Sequence, residues 1–258
     1  MKALVVLDKE NIQVQSIDIP SCKENEVLIR VTACGICGSD IPRALDGKVH
    51  FYPIVLGHEF SGRVVQTGPN TQSIQVGDRV TAAPLLPCGS CKYCQMGKPA
   101  MCKQYNFLGS RKNGAMAEYV VVPEKNVLKL PDEVDDFAGA MVEPLTVALH
   151  GIERVRLPAG ASVAVFGAGT IGLLTLQCLK ARGVGQVTVI DIQNDKLRLA
   201  RKLGADKIVN PNETDLLTYF REQPPQAVFE TAGTPITQKQ CIEIVANLGK
   251  VVYIGTVE

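Results

Sequence analysis

The sequence predicts an α/β protein in two parts: a mostly-β half over residues 1–150 and a doubly wound parallel sheet with flanking helices over 151–258. Three observations lead to this. Short β-branched runs punctuate the first half. Apolar strands alternate with helically spaced segments in the second. A glycine-rich turn falls where the second half's first strand meets its first helix. With 258 residues, 46% hydrophobic and 21% charged, the chain is a foldable mixture with enough length for one large or two ordinary domains.

In the first half, Ala3–Leu7, Ile12–Ile17, Val27–Ala33, Phe60–Val65 and Arg79–Ala82 read as strands. Turn formers at Lys23-Glu24-Asn25, Gly68-Pro69-Asn70 and Gly77-Asp78 separate them. Two long stretches, roughly 34–58 and 84–115, show no such pattern and are expected to be irregular, ordered by something other than a hydrophobic core. In the second half, Ser162–Phe166, Val187–Asp191, Lys207–Val209, Ala227–Glu230 and Lys250–Ile254 read as strands. Thr170–Ala181, a charged span over 194–203, and spans near 213–222 and 235–247 read as helices. This alternation implies parallel strands covered on both faces.

The formal net charge of +1 does not point to a nucleic acid or an anionic membrane as partner. The start, MKALVVLDKE, lacks the pattern of a secretory signal. No apolar stretch approaches the ~20 residues that span a bilayer, so the expected compartment is the cytoplasm. Nine cysteines, an odd count, argue against a fully paired disulfide framework.

Gly167-Ala168-Gly169-Thr170-Ile171-Gly172 is a G-x-G-x-x-G run that closes a predicted strand and opens a predicted helix, the context a dinucleotide site requires. Gly167 makes the tight turn, Gly169 clears the way for a pyrophosphate, and Gly172 allows close helix–strand packing. Asp191, at the tip of the next strand, can accept hydrogen bonds from the adenine ribose and would repel a 2′-phosphate, which favours NAD over NADP.

Cys88, Cys91, Cys94 and Cys102 have the form C-x2-C-x2-C-x7-C. Four thiolates close a tetrahedral zinc with no open position, the pattern of a structural site; an iron–sulfur cluster is the other candidate occupant. A second set, Cys37, His58 and Glu143, offers sulfur, nitrogen and oxygen ligands. Three protein ligands leave a position for a substrate oxygen. Glu59 could approach this metal or hold the site through hydrogen bonds. Spacing alone does not exclude Cys34 in place of Cys37.

The stretches CGICGSD (34–40), GHEFSG (57–62), the four cysteines, VEPLTVALH (142–150) and GAGTIG (167–172) together resemble the zinc-containing medium-chain dehydrogenases, and within them the polyol dehydrogenase branch. HFYPIVLGHEFSG (50–62), APLLPC (83–88) and YNFLGSRKNGAMAEY (105–119) look like members acting on sugar-alcohol phosphates. The resemblance implies a GroES-like catalytic domain over 1–150 and a Rossmann NAD-binding domain over 151–258, with the active site in the cleft between them. It implies catalytic-zinc ligation by Cys37 and His58, with Glu143 near the metal and Glu59 ligating directly or through water. Ser39 matches the hydroxyl that begins a proton relay, and Thr146 and Val147 lie where the family packs close to the nicotinamide.

The activity so implied is a zinc-dependent, NAD-linked oxidation of a secondary alcohol to a ketone. Dehydrogenases of unphosphorylated polyols, diols or threonine share the same zinc and nucleotide motifs, and a non-catalytic zinc and NAD binder is the reading from another class. For a phosphorylated substrate, Arg111, Lys112 and Arg43 are the candidate cations. Partners are then a small polyol or its phosphate, with no nucleic acid and no membrane, and a homodimer or homotetramer for a full-length parent. Family members are longer, and the dinucleotide fold has six strands where five are found here. The Rossmann part is therefore expected to be incomplete, cut short before its last strand.

Overall fold

The computed structural model describes residues 1–256 and divides into two compact units, Met1–Glu143 and Pro144–Glu258. The first unit runs β1 (Lys2–Asp8), β2 (Asn11–Ser16), β3 (Glu26–Cys34), α1 (Asp40–Leu45), β4 (Ile54–Val55), β5 (Phe60–Thr67), β6 (Arg79–Ala82), β7 (Leu85–Leu86), α2 (Lys92–Gln95), β8 (Asn106–Phe107), β9 (Tyr119–Pro123), β10 (Val127–Lys129) and α3 (Asp136–Ala140). Its main sheet is antiparallel, in the order β10-β6-β5-β3-β9. Val27, Ile29, Phe60, Val64, Val80, Val120 and Val122 fill its core. Strand β3 carries two irregularities, at Leu28/Ile29 and Val31/Ala33. Such bulges bend a strand and re-aim the chain leaving it. The chain leaving β3 is the 34–40 loop.

A smaller sheet, β2-β1-β4, packs Val6, Ile54 and Leu56 against Ala44 of α1. This cluster ties α1 to the chain entering residues 57–59. The ribbon β7–β8 pairs Leu85 with Phe107 and Leu86 with Asn106. It closes the base of the loop that carries the four cysteines.

The second unit holds β11 (Ser162–Phe166), α5 (Thr170–Ala181), β12 (Gln186–Ile190), α6 (Asn194–Lys202), β13 (Lys207–Val209), α7 (Leu216–Phe220), β14 (Ala227–Glu230), α8 (Pro235–Ile244) and β15 (Lys250–Tyr253), preceded by α4 (Val142–Glu153). All five strands are parallel, in the order β13-β12-β11-β14-β15. Burial on both faces follows from strict alternation. Val163 and Val165 enter one core with Leu176, Leu179 and Leu197, while Ala164 and Phe166 enter the other with Leu216, Phe220 and Ile244.

Two expectations need correction. The stretches 34–58 and 84–115 are not wholly irregular, since they hold α1, β4, the β7–β8 ribbon and α2. The helix α4 crosses residue 150, and its Leu145, Leu149 and Ile152 pack on the core of the second unit, which draws that unit's start back to Pro144. Strands β9 and β10 and helices α3 and α4 are additional to the elements expected. Among the described residues, no helix is long and apolar enough to cross a membrane.

Candidate active site and metal centres

Strand β11 ends at Phe166, and Gly167 comes next with φ +92°, a conformation that side chains rarely adopt. A Cβ on Gly172 would lie 1.9 Å from the Gly167 carbonyl oxygen, whereas one on Gly169 would meet nothing within 4 Å. The glycine turn thus contains one position closed by its own backbone and one open to a ligand. Thr170 and Ile171 form the first turn of α5, whose free N–H groups suit an anion. Asp191 leaves β12 with one carboxylate oxygen accepting from Ala168 N at 2.7 Å and the other from Gln193 N at 2.8 Å. Its carboxylate is fixed beside the turn, and each oxygen keeps a lone pair for a further donor.

The four cysteines of the 88–102 loop converge. The Sγ–Sγ distances are 3.5 Å for Cys91–Cys94 and Cys88–Cys102, 3.9 Å for Cys91–Cys102 and 4.0 Å for Cys88–Cys94. A tetrahedron of ~2.3 Å metal–sulfur bonds has edges of about 3.8 Å, so the donor set fits a single zinc ion. A multi-iron cluster spreads its thiolates over separate irons, and these edges are too short for that. The N–H groups of Ser90 and Cys91 point at Cys88 and hold its thiol down at about 6, while burial and the adjacent Cys91 push Cys94 up to about 12. Four thiolates this close repel one another unless a cation lies among them.

A second cluster lies at the end of β3. Cys37, His58 and Glu59 offer ligand atoms that all lie within 4.8 Å of one another. His58 and Glu59 are buried. Burial lowers the His58 imidazole pKa despite the nearby Asp40, and burial raises the Glu59 carboxyl. The neutral imidazole is the ligating form. Asp40, only 3% exposed, accepts from Cys37 N at 3.1 Å, stands 3.7 Å from His58 Nδ1 and pairs with Arg43 at 3.3 Å. Its carboxylate holds the backbone of the candidate sulfur ligand, while His58 Nδ1 is buried with no hydrogen-bond partner among the described residues. Ser39 donates to Cys37 Sγ at 3.3 Å and accepts from Arg43 at 2.9 Å.

Backbone contacts set the place of His58. Gly57 has φ +92° and Gly109 φ +72°. A Cβ on Gly109 would lie 2.7 Å from Gly57 N, and one on Gly114 would lie 2.1 Å from Gly57 O. The hydrogen bonds Gly114 N to Val55 O, Met116 N to Leu56 O and Ala115 N to Gly57 O join the two segments. On the other side, a Cβ on Gly35 would fall 2.4 Å from Glu59 Oε2.

A family model for the alcohol dehydrogenase GroES-like domain matches residues 23–132, and one for zinc-binding dehydrogenases matches residues 170–258. Galactitol 1-phosphate 5-dehydrogenase of Escherichia coli (strain K12) is 40% identical to 99% of this chain, over 75% of its own length. The chain belongs to the zinc-dependent medium-chain dehydrogenases. The crystal structure of galactitol-1-phosphate dehydrogenase from Escherichia coli aligns with a TM-score of 0.95 at 39% identity, covering 100% of this chain and 76% of that one. A zinc-binding dehydrogenase from Sinorhizobium meliloti 1021, bound to NADP, aligns with a TM-score of 0.95 at 36% identity over 99% of this chain and 77% of that one. The first unit of this dehydrogenase is thus GroES-like and the second a Rossmann sheet, and the family's enzymes use zinc and a nicotinamide dinucleotide.

Within this dehydrogenase the expected residues are placed unequally. Cys37 stands in the second cluster and Cys34 does not; burial pushes the Cys34 thiol up to about 12. The tight group contains Cys37, His58 and Glu59; Glu143, the other glutamate named from the sequence, lies outside it. Glu143, at the start of α4, is still close enough to feel the site: burial, then Glu59, then Asp40 raise its carboxyl to about 7. Thr146 and Val147, one turn further on, line an open groove with His150, Arg154, Val252 and Ile254. Arg111 is exposed, its guanidinium 4.6 Å above the Tyr105 ring, whereas Lys112 is paired with Glu26 at 3.7 Å. Phe107 links this turn to the site, its ring edge-on to His58 at 5.4 Å and its carbonyl accepting from Arg111 N. Sequence reasoning passed over Asp40, although an acidic residue three positions after a candidate ligand cysteine carries a signal of its own.

Proposed function

We propose that this dehydrogenase oxidises a secondary alcohol of a sugar-alcohol phosphate to a ketone with NAD, most like galactitol 1-phosphate to tagatose 6-phosphate. The observation that carries the chemistry is the Cys37–His58–Glu59 group, with His58 and Glu59 buried and Cys37 partly exposed, beside Asp40. Three donors of mixed type, crowded by further carboxyl groups, are what a Lewis-acid zinc needs and what a site without a cation has no reason to assemble. The 88–102 cysteines hold the structural zinc, and the Gly167–Gly172 turn with Asp191 seats the dinucleotide.

Zinc bound in the second cluster supplies Lewis acidity toward an alcohol oxygen, and the nicotinamide supplies the hydride acceptor. The protein's own groups do the rest. Asp40 fixes the Cys37 backbone through its N–H, and a neutral His58 imidazole would ligate without first losing a proton. Glu59 would complete a three-ligand set, and Glu143, whose carboxyl feels Glu59 and Asp40, would be a further oxygen donor nearby. Ser39 accepts from Arg43 and gives its hydrogen to Cys37 Sγ; turned away from the sulfur, the same hydroxyl would serve a relay from the reacting oxygen. The resemblance to sugar-alcohol phosphate enzymes and the exposed Arg111, in the turn whose Phe107 packs on His58, support a phosphate as the substrate's far end.

The test begins with zinc per chain by elemental analysis. A value near two supports both sites, whereas a value near one in which Cys37→Ser removes nothing refutes the second. A panel of galactitol 1-phosphate, galactitol, sorbitol and 2,3-butanediol then reads the substrate. Preference for the phosphate ester, lost in Arg111→Ala, supports the reading. Equal kcat/KM for galactitol and its phosphate refutes it in favour of an unphosphorylated polyol.

A further inference from the structure

Glu230 ends β14, in register with Phe166 of β11, and is fully buried. Its Oε1 collects three donors: Ala232 N at 2.9 Å, Gly233 N at 2.8 Å and the Thr237 hydroxyl at 2.8 Å. Its Oε2 is buried with no hydrogen-bond partner among the described residues. It lies against Gly255 beyond β15, where a Cβ would come within 2.7 Å. Three donors aimed at one oxygen suit an ionised carboxylate, which only accepts. Thr237 lies in the first turn of α8, so the positive end of that helix adds to the same preference. The expected function gives this anion no part.

Its place in the sheet suggests one. The strand order β13-β12-β11-β14-β15 reverses between β11 and β14, and a dinucleotide lies across that reversal. Asp191 on β12 and the glycine turn after β11 take the adenosine and pyrophosphate. The remaining half, the nicotinamide, then lies on the β14 side. Glu230 is the buried charge at that end of the sheet. Its neighbour Thr231 donates to the Phe166 carbonyl at 2.6 Å and lies 3.3 Å from the Gly167 carbonyl, so the Glu230 loop and the glycine turn form one rigid piece.

We propose that Glu230 sets the redox-state selectivity of the cofactor site, its carboxylate favouring the positively charged nicotinamide of NAD+ over the neutral ring of NADH. Charge attraction in a poorly screened interior acts on the oxidised form alone. The ratio of the two affinities also fixes the equilibrium between oxidised and reduced cofactor on the protein, so Glu230 draws that equilibrium toward NAD+. This role rests on the dinucleotide seat formed by the glycine turn and Asp191.

The experiment measures dissociation constants for NAD+ and NADH by calorimetry on the full chain. Two isosteric pairs are compared, wild type with Glu230→Gln and Glu230→Asp with Glu230→Asn, so that a pair with a member that does not fold is replaced by the other. Loss of the charge is expected to weaken NAD+ relative to NADH by about threefold or more, a bias of roughly 0.65 kcal/mol. Thr237→Val removes a donor and keeps the charge, so it should move both affinities together. An unchanged ratio across both pairs, or parallel losses for both cofactors, overturns the proposal. Gly169→Val separates the two levels of the argument. If it leaves both affinities intact, or if the wild-type chain binds neither cofactor, the seat itself is wrong and the Glu230 role falls with it. If it abolishes binding while the charge pairs leave the ratio unchanged, only the Glu230 role fails.

Discussion

Two glycines in one six-residue motif should fail in opposite ways when replaced by alanine. In Gly172→Ala the new Cβ falls 1.9 Å from the Gly167 carbonyl oxygen and 2.8 Å from Thr231 Oγ1. Both obstacles are held in place: Gly167 N bonds to Ile190 O, and Thr231 bonds to Phe166 O. To reach an ordinary contact of about 3.3 Å, the first turn of α5 must move off β11 by more than 1 Å. A shift of that size in a packed layer costs about 3 kcal/mol. It also moves the N–H groups that would meet the pyrophosphate. Gly169 differs in both respects. Its φ of −78° is open to any residue, and a Cβ there meets nothing within 4 Å. Gly169→Ala should leave stability within about 0.5 kcal/mol, with any gain coming from a less flexible unfolded chain. Its effect should fall on the ligand, weakening NAD+ by about tenfold, or 1.4 kcal/mol. Urea unfolding monitored by circular dichroism reads the first quantity, and calorimetric titration with NAD+ reads the second. Wild-type stability in Gly172→Ala, or wild-type NAD+ affinity in Gly169→Ala, would refute the division of labour between these two glycines.

Three further outcomes are expected from the same geometry. Cys94→Ser should lower the zinc content by one ion per chain and make the 88–105 loop sensitive to proteolysis, with Cys37→Ser removing a different ion and leaving that loop intact. Asp191→Ala should weaken NAD+ and narrow its advantage over NADP+ to less than about tenfold, read by competitive titration. The Asp206 carboxylate is pushed up by burial but held below the usual range by Val187 N and Lys180, at 2.7 Å and 2.9 Å. A depressed carboxylate stabilises the fold above its unfolded pKa and loses that contribution as pH falls through its folded pKa. Lys180→Met should therefore cost about 0.5 kcal/mol at pH 7, with the difference from wild type vanishing in the acid range; a constant difference down to pH 2 would show that packing, not charge, is at work.

The parallel sheet was legible in the sequence because its signals are local. Ser162–Phe166, Lys207–Val209 and Ala227–Glu230 coincide with β11, β13 and β14, and Thr170–Ala181 coincides with α5. Each is an apolar run bounded by glycine or charge, and burial on both faces rewards that pattern. The catalytic half was harder to read. Strands β4, β7 and β8 have two residues each, and pairing across dozens of residues creates them, which no short window can register. Helix α4 carries Pro144 in its first turn, where proline is tolerated, so a residue that usually marks a break conceals a start. Yet Tyr119–Val122, four consecutive strand formers, carried a signal as clear as any in the half. For the site, residue types pointed to Cys37, His58 and both glutamates, but which glutamate is the near neighbour is set by contacts between segments far apart in sequence, which no short window registers.

The backbone-on-backbone seat of Gly57 against Gly109 and Gly114 bears on how such a protein can diverge. His58 inherits its position from atoms that every residue possesses, so nearby side chains can be exchanged without moving it. Residues 111 and 112 ride on the very segment that supplies the seat, and Arg111 faces solvent. Side chains at 111 and 112 can therefore change without disturbing the backbone contacts that seat His58. Selection can change the side chains of the turn in a single step while that seat persists, provided the two glycines that flank it stay glycine.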